Sequence, residues 1–258
     1  METLQHFITT GVFAFILTFV RVGTALMIMP GLGDSFTPQN VRLHLALALA
    51  LVMAPVVAPH MPDPIPGTTM LLSLIVMEFI IGMFIGTVSR ILMAALDTAG
   101  MIMSMQSGLG NAQLFNPAFS TQGSILGAFL SVMGMVLIFS TNLHHLLLMG
   151  VADSYNMFPV GSLPDVGGMA DMIGQAISAS FRIGVQVSAP FIVVGLMIYI
   201  GMGVLSRLMP QIQVFMIAIP VQILISLMTL ALILSAGMLF WLHQFEEGMV
   251  FFLMSSGG

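Results

Sequence analysis

MLLSLIVMEFIIGMFIGTVSRILMAA, residues 70–95, is almost wholly apolar, and its only charges are Glu78 and Arg90. A helix needs about 20 such residues to cross roughly 30 Å of hydrocarbon at about 1.5 Å per residue, so this stretch reads as a membrane span. Gly82 and Gly86 follow the carboxylate at four-residue spacing. Small residues so placed let two helix backbones approach closely in lipid, where no hydrophobic drive pushes helices together. The span therefore asks for neighbours, and for a partner to its buried charge.

Working outward, five more runs are bounded by Gly, Pro and polar clusters. They extend from about Phe7 to Met29, closed by Pro30-Gly31-Leu32-Gly33-Asp34; from Val41 to Val57, leading into a proline-rich loop; and from Ser124 to Met149. The last two are Ser178 to Leu208, interrupted by Pro190, and Val214 to His243, with Pro220 near its start. The third run continues as helix toward Gln106. Small residues recur in Ala46-x-x-x-Ala50-x-x-x-Ala54, in Gly123, Gly127 and Ser131, and in Gly184 and Ser188, so several helices want close neighbours. With 58% hydrophobic and 6% charged residues, against roughly a quarter charged in soluble domains, the fold class is an all-α polytopic helical membrane protein of about six long helices. Residues Met1 to His6 lack the basic region of a cleavable signal, and the first run exceeds a signal's apolar core, so it reads as the first span. Arg42, Arg90 and Arg207 flank the first, third and fifth connections, which places those inside and the N-terminus outside the cytoplasm.

Two connections are long. Gly150 to Met169 holds Asp153 and Asp165 and reads as a solvated loop. Ser107 to Gly123 is different, being polar without any charge between Asp97 and Asp153. Gly108-Leu109-Gly110-Asn111-Ala112-Gln113-Leu114-Phe115-Asn116-Pro117-Ala118-Phe119 cannot be regular helix. Non-helical backbone survives at membrane depth only inside protein or against water, because lipid cannot hydrogen-bond its amides. Gly108, Gly110, Asn111, Leu114, Phe115, Asn116, Pro117 and Phe119 are therefore candidates for a pore plug or gate, with Met101, Met103 and Met105 beside them. An ordinary surface loop is the competing reading.

Other chemistry is narrowed by what is missing. Five Arg, ten acidic residues and no Lys argue against nucleic acid as a partner and remove any P-loop lysine or Schiff base. Without cysteine there is no disulfide and no thiolate metal site. No metalloprotease or serine-hydrolase motif occurs, so no enzyme, catalytic residue, metal site or cofactor is expected. The 26 Met are scattered over every span, which suits packing rather than thioether copper clusters. His144 and His145 are adjacent on a helix, point to different sides and cannot share a metal in the usual way. Arg21, Glu78, Arg90 and Asp97 must face protein or water, since an unpaired charge at mid-helix costs about 2.5–3.5 kcal/mol. Packing ion pairs are the favoured reading, with Arg21 or Arg90 the partner of Glu78. A small-molecule permease with a midplane site near Glu78 and Arg90 is the alternative.

An ordered set of motifs spans nearly the whole chain: Arg21, Met29-Pro30-Gly31-Leu32-Gly33, Val41-Arg42, Glu78 with Gly82 and Gly86, Ala99-Gly100, and Gln106-Ser107-Gly108. It continues with Asn116-Pro117, Asn142-Leu143-His144-His145, Ser154, Ala189-Pro190 and the turn from Leu205 to Phe215 containing Arg207, Pro210, Gln211 and Gln213. This set resembles the FliR family of flagellar biosynthetic, type III secretion export-gate proteins. The resemblance implies a FliP-like helical part at 1–170 with a plug loop at 107–123. It also implies a FliQ-like hairpin and tail at 171–258, with the hairpin turn at Arg207 to Gln213. It further implies a bacterial inner-membrane, multi-pass subunit of the flagellar basal body. With FliP and FliQ, and alongside FlhB and FlhA, it would form the channel for unfolded flagellar export substrates. The equivalent virulence type III secretion subunit is a second possibility within the resemblance.

Overall fold

The computed structural model describes residues 2–34, 36–62, 67–109, 124–209 and 214–254. Among them are seven α-helices: α1 (Glu2–Ile28), α2 (Gln39–Val57), α3 (Thr68–Gln106), α4 (Ile125–Ser140), α5 (Leu143–Met157), α6 (Val166–Leu208) and α7 (Val214–Met254). Five are long and apolar enough to cross a membrane, and α4 with α5 form a sixth apolar stretch bent at its middle. The chain is thus all-α and polytopic, as its composition requires.

Three expectations about boundaries change. The run from Ser124 to Met149 is broken, because α4 and α5 meet at 77°. Asn142 stands at the break with φ 60°, a left-handed conformation that Asn tolerates better than most side chains. The segment from Gly150 is no solvated loop at its start: α5 runs to Met157, burying Leu147, Gly150, Val151, Ser154 and Tyr155 along one face. The helix is amphipathic there, so average apolarity underrates it. Likewise α6 begins at Val166, well before Ser178, and passes through Pro190 as continuous helix.

The chain divides into two compact units, with boundaries that fall within α3, α4, α6 and α7. The first comprises Met1–Leu92, Phe139–Ile177 and Glu246–Gly258. In it, α1 buries Phe13, Ala14, Leu17, Arg21, Val22, Ala25 and Leu26, a spacing that keeps one face inward over successive turns. Ala46, Ala50, Ala54 and Val57 form the buried face of α2. Phe13, Leu17, Val57, Met61, Leu74 and Tyr155 join in one core cluster.

The second unit comprises Met93–Ile138 and Ser178–Phe245. Close backbone approach dominates it. A Cβ at Gly100 on α3 would overlap the backbone nitrogen and Cα of Gly127 on α4. Gly184 on α6 faces the Ala95 carbonyl and Thr98, each 3.0 Å from where a Cβ would stand. Trp241 is fully buried, and its ring lies 3.1 Å from a Cβ placed at Gly134. Outward, α6 and α7 expose Val193, Leu196, Met197, Leu227, Met228 and Leu232, an apolar surface suited to lipid or other apolar helices.

Gly100→Ala should lower the thermal midpoint of the detergent-solubilised protein, because the clash is with backbone; overpacking typically costs about 1–3 kcal/mol. Gly201→Ala meets nothing within 4 Å and should be neutral or stabilising by about 0.5–1 kcal/mol. Equal midpoints for the two variants would contradict the close packing of α3 on α4.

Candidate functional site

Arg21 on α1 and Glu78 on α3 are 0% and 1% exposed. The guanidinium makes a forked contact: Nε donates to Glu78 Oε2 at 2.5 Å and Nη2 to Oε1 at 2.9 Å. Nη2 also donates to the Phe158 carbonyl at 2.9 Å, and Nη1 to Ser154 Oγ at 3.2 Å. The Tyr155 ring lies 3.9 Å from the guanidinium carbon, so its π face adds to the negative surroundings. Parallel fork bonds suit Arg over Lys, whose ammonium is a point donor. The two glycines after Glu78 make the approach possible. A Cβ at Gly82 would overlap the Arg21 carbonyl oxygen, and one at Gly86 would sit 2.7 Å from Ile28 Cβ.

Of the two partners considered for Glu78, the structure therefore uses Arg21. Arg90 lies about 18 Å further along α3 and bonds instead to Asp34, with its own side chain half exposed. A shared midplane site built from Glu78 and Arg90 is not formed. Asp34 closes the turn after α1 and carries no mark of this role in the sequence. Its other oxygen accepts the Gly31 N–H at 2.7 Å, while Arg42 Nη1 donates to the Gly33 carbonyl at 3.0 Å. The Pro30 to Asp34 turn is thereby stitched to α2 and α3.

In the second unit, Met101 and Met105 are exposed and Met103 is buried at 2%, since alternate residues on a helix do not share a face. α3 ends at Gln106, whose carbonyl accepts from Gln222 Nε2 on α7 at 2.8 Å. Ser107 is fully buried, and its Oγ donates to the Ser104 carbonyl at 3.0 Å and accepts from the Leu109 N–H at 3.3 Å. Gly108 has φ 77°, the left-handed region that glycine enters freely. At the other end of the uncharged segment, Ser124 Oγ donates to the Gly100 carbonyl at 2.8 Å and accepts from the Gly127 N–H, capping α4. Both flanks are thus held to α3. Gly110, Asn111, Leu114, Phe115, Asn116, Pro117 and Phe119 lie outside the described residues, as do Pro210, Gln211 and Gln213. Arg207 is exposed in the last turn of α6.

Asp97 is not an isolated span charge, since it accepts from Ser131 Oγ at 2.6 Å. The His144 and His145 rings do not splay apart as expected for adjacent helical positions. They lie 4.2 Å apart at the start of α5, with Phe139 stacked on His144 across the bend. Gln222 carried no signal in the sequence beyond being a polar residue in an apolar run. Tyr155 and Phe158 were hidden because their contacts with Arg21 cross more than a hundred positions.

The buried and exposed ion pairs should respond differently to mutation. Arg21→Met or Glu78→Leu alone strands a buried charge and should destabilise the solubilised protein by about 3–5 kcal/mol, while the double variant should lose less than either. Asp34→Asn removes a solvent-screened partner and should cost under about 1 kcal/mol. Thermal unfolding in detergent reads all four, and a double variant no better than the worse single would contradict the pairing.

Over residues 12–248 the chain matches the bacterial export proteins, family 1. It is 38% identical over 232 residues to the flagellar biosynthetic protein FliR of Caulobacter vibrioides, covering 90% of this chain and 92% of that one. To the FliR of Aquifex aeolicus it is 28% identical over 247 residues, covering 95% and 93%. It is also similar to Yop proteins translocation protein T of Yersinia pestis, 32% identical over 154 residues, or 59% of each chain. Arg21, Glu78, Gln106 and Gln222 all fall inside the matched region. By the extent of that match, the chain belongs to the bacterial export proteins of family 1, the FliR family.

Proposed function

We propose that the chain is the FliR-type subunit of a flagellar type III protein export gate. With FliP and FliQ it forms the channel through which unfolded flagellar proteins leave the cytoplasm, at the basal body in the bacterial inner membrane, with FlhB and FlhA as neighbours. The observation that carries this reading is the similarity to the flagellar FliR of Caulobacter vibrioides along 90% of the chain. The similarity to the Yersinia translocation protein covers 59%, which favours flagellar over virulence use. The assignment as a transport subunit also fits the chemistry of the described residues. Their best-buried charges are neutralised against each other, and their exposed faces are large, apolar and rich in Leu, Val and Met.

On this reading, residues 1–170 form a FliP-like part and 171–258 a FliQ-like hairpin with its tail. The uncharged segment within 107–123 is the plug of the resting channel. Support for the plug is its composition and the way its flanks, Gln106 to Leu109 and Ser124, are hydrogen-bonded rather than left to solvent. A segment that must seal a pore against ions and yet yield to a chain benefits from polar, uncharged residues. Fixed charges there would hold counter-ions and water.

Deleting Gly110 to Phe119 should leave the gate assembled and make it leak small ions, measured as potassium flux in cells or in proteoliposomes. A tight deleted gate that exports normally would exclude the plug role. Expressed alone, the chain should be less stable in detergent than when made with FliP and FliQ, with which it should migrate as one hetero-oligomer by mass measurement. A stable monomer or homodimer that transports a solute would exclude the export-gate reading.

A further inference from the structure

The last turn of α3 is gripped through Gln106 by both arms of the α6–α7 pair in the same unit. The Gln106 carbonyl is one of the terminal carbonyls that a helix leaves without an internal donor. The Gln222 amide fills that vacancy from α7, donating at 2.8 Å from a side chain only 4% exposed. The same amide lies over Gly108, where a Cβ would stand 3.4 Å from its Cδ. From α6, Gly195 makes room for the Gln106 side chain, whose Oε1 lies 2.5 Å from where a Gly195 Cβ would be. A glutamine amide buried in an apolar run is costly unless bonded, so the contact has to be made or the amide must reach water. Pro220 lies just before Gln222 on α7. It has no N–H for the preceding turn, which leaves the start of α7 one backbone hydrogen bond short beside this contact.

We infer that Gln222 is a positioning residue that latches the C-terminal turn of α3 to the α6–α7 pair, and that this latch opens when protein passes through the gate. The inference rests on the export-gate reading and adds the moving contact to it. When the end of α3 and the α6–α7 pair draw apart, the amide leaves Gln106, and the end of α3 loses both its cap and the surface that shapes Gly108. One hydrogen bond and two glycine contacts can be broken and remade cheaply, whereas interlocked apolar side chains would resist such cycling.

The chain contains no cysteine, so a disulfide can be introduced without background. A Cβ at Gly195 would lie 3.4 Å from Gln106 Cβ, near the roughly 3.5–4.5 Å that disulfides span. The variant Gln106→Cys with Gly195→Cys is expressed in cells lacking the native chain, and secretion of flagellar protein is measured before and after a mild thiol oxidant. Reduced cells should secrete, oxidised cells should secrete at least about tenfold less, and reductant should restore the loss. Equal secretion with the disulfide shown to be formed overturns the latch. Gln222→Met keeps the shape and removes the donor. In the assembled gate it should raise resting ion leak by about fivefold, the factor carried by one ordinary hydrogen bond. Native leak in a fully assembled Gln222→Met gate likewise overturns the latch, and this variant decides the matter if the cysteine pair does not assemble. Failure of the export-gate reading looks different: the unmutated chain itself would then not restore secretion.

Discussion

Arg21 and Glu78 each would be untenable alone where they sit. Neither reaches solvent, and an uncompensated charge in such a place costs several kcal/mol. Together, with Ser154 and the Phe158 carbonyl taking two more of the five guanidinium protons, they form a set of bonds that ties α1, α3 and α5 at one point. Everything near that point has to accommodate it. Gly82 must lack a side chain because the backbone of α1 passes over it, and α5 must stay helical past Gly150 to deliver Ser154 and Tyr155. Such a pair adds little net stability over well-packed apolar residues, but it tolerates only one register of the three helices.

The second unit is organised by a different means. Gly100 on Gly127 and Gly184 on Ala95 bring backbones together until side chains have no room, and Gly134 leaves space for the side chains of Leu96 and Trp241. Short polar bonds such as Ser131 to Asp97 then fix the alignment. In lipid or among sister helices these are the interactions that discriminate, because apolar side chains gain nothing by preferring one apolar neighbour to another. α3 supplies both units in turn, its ion-paired half to the first and its small-residue half to the second.

Parts of this were legible before any coordinates. Gly82 and Gly86 announced a close helix contact, and the lone carboxylate at Glu78 announced a cation partner. The ordered motifs pointed to the family, which the comparisons then showed. Other parts were not. Arg90 was as good a partner for Glu78 as Arg21 by composition, and Asp34 lay in a turn with no mark of its role. The bend at Asn142 interrupts a run whose hydropathy is continuous. Gln222 is one polar letter among many in α7, and nothing local says that its target is a carbonyl on α3.

The amino-acid sequence by itself determined the class of molecule. Apolar runs of sufficient length, few charges and repeated small residues leave helices in an apolar medium as the only way to satisfy the backbone. It determined too that the span charges needed partners and that α3 should end near Gly108. Tertiary structure alone decided which charges meet, where the helices bend and which polar side chain caps which helix end. Those outcomes depend on approach between positions far apart in the chain, such as 21 with 78 and 106 with 222. Periodicity carries only what happens within a turn or two of one helix.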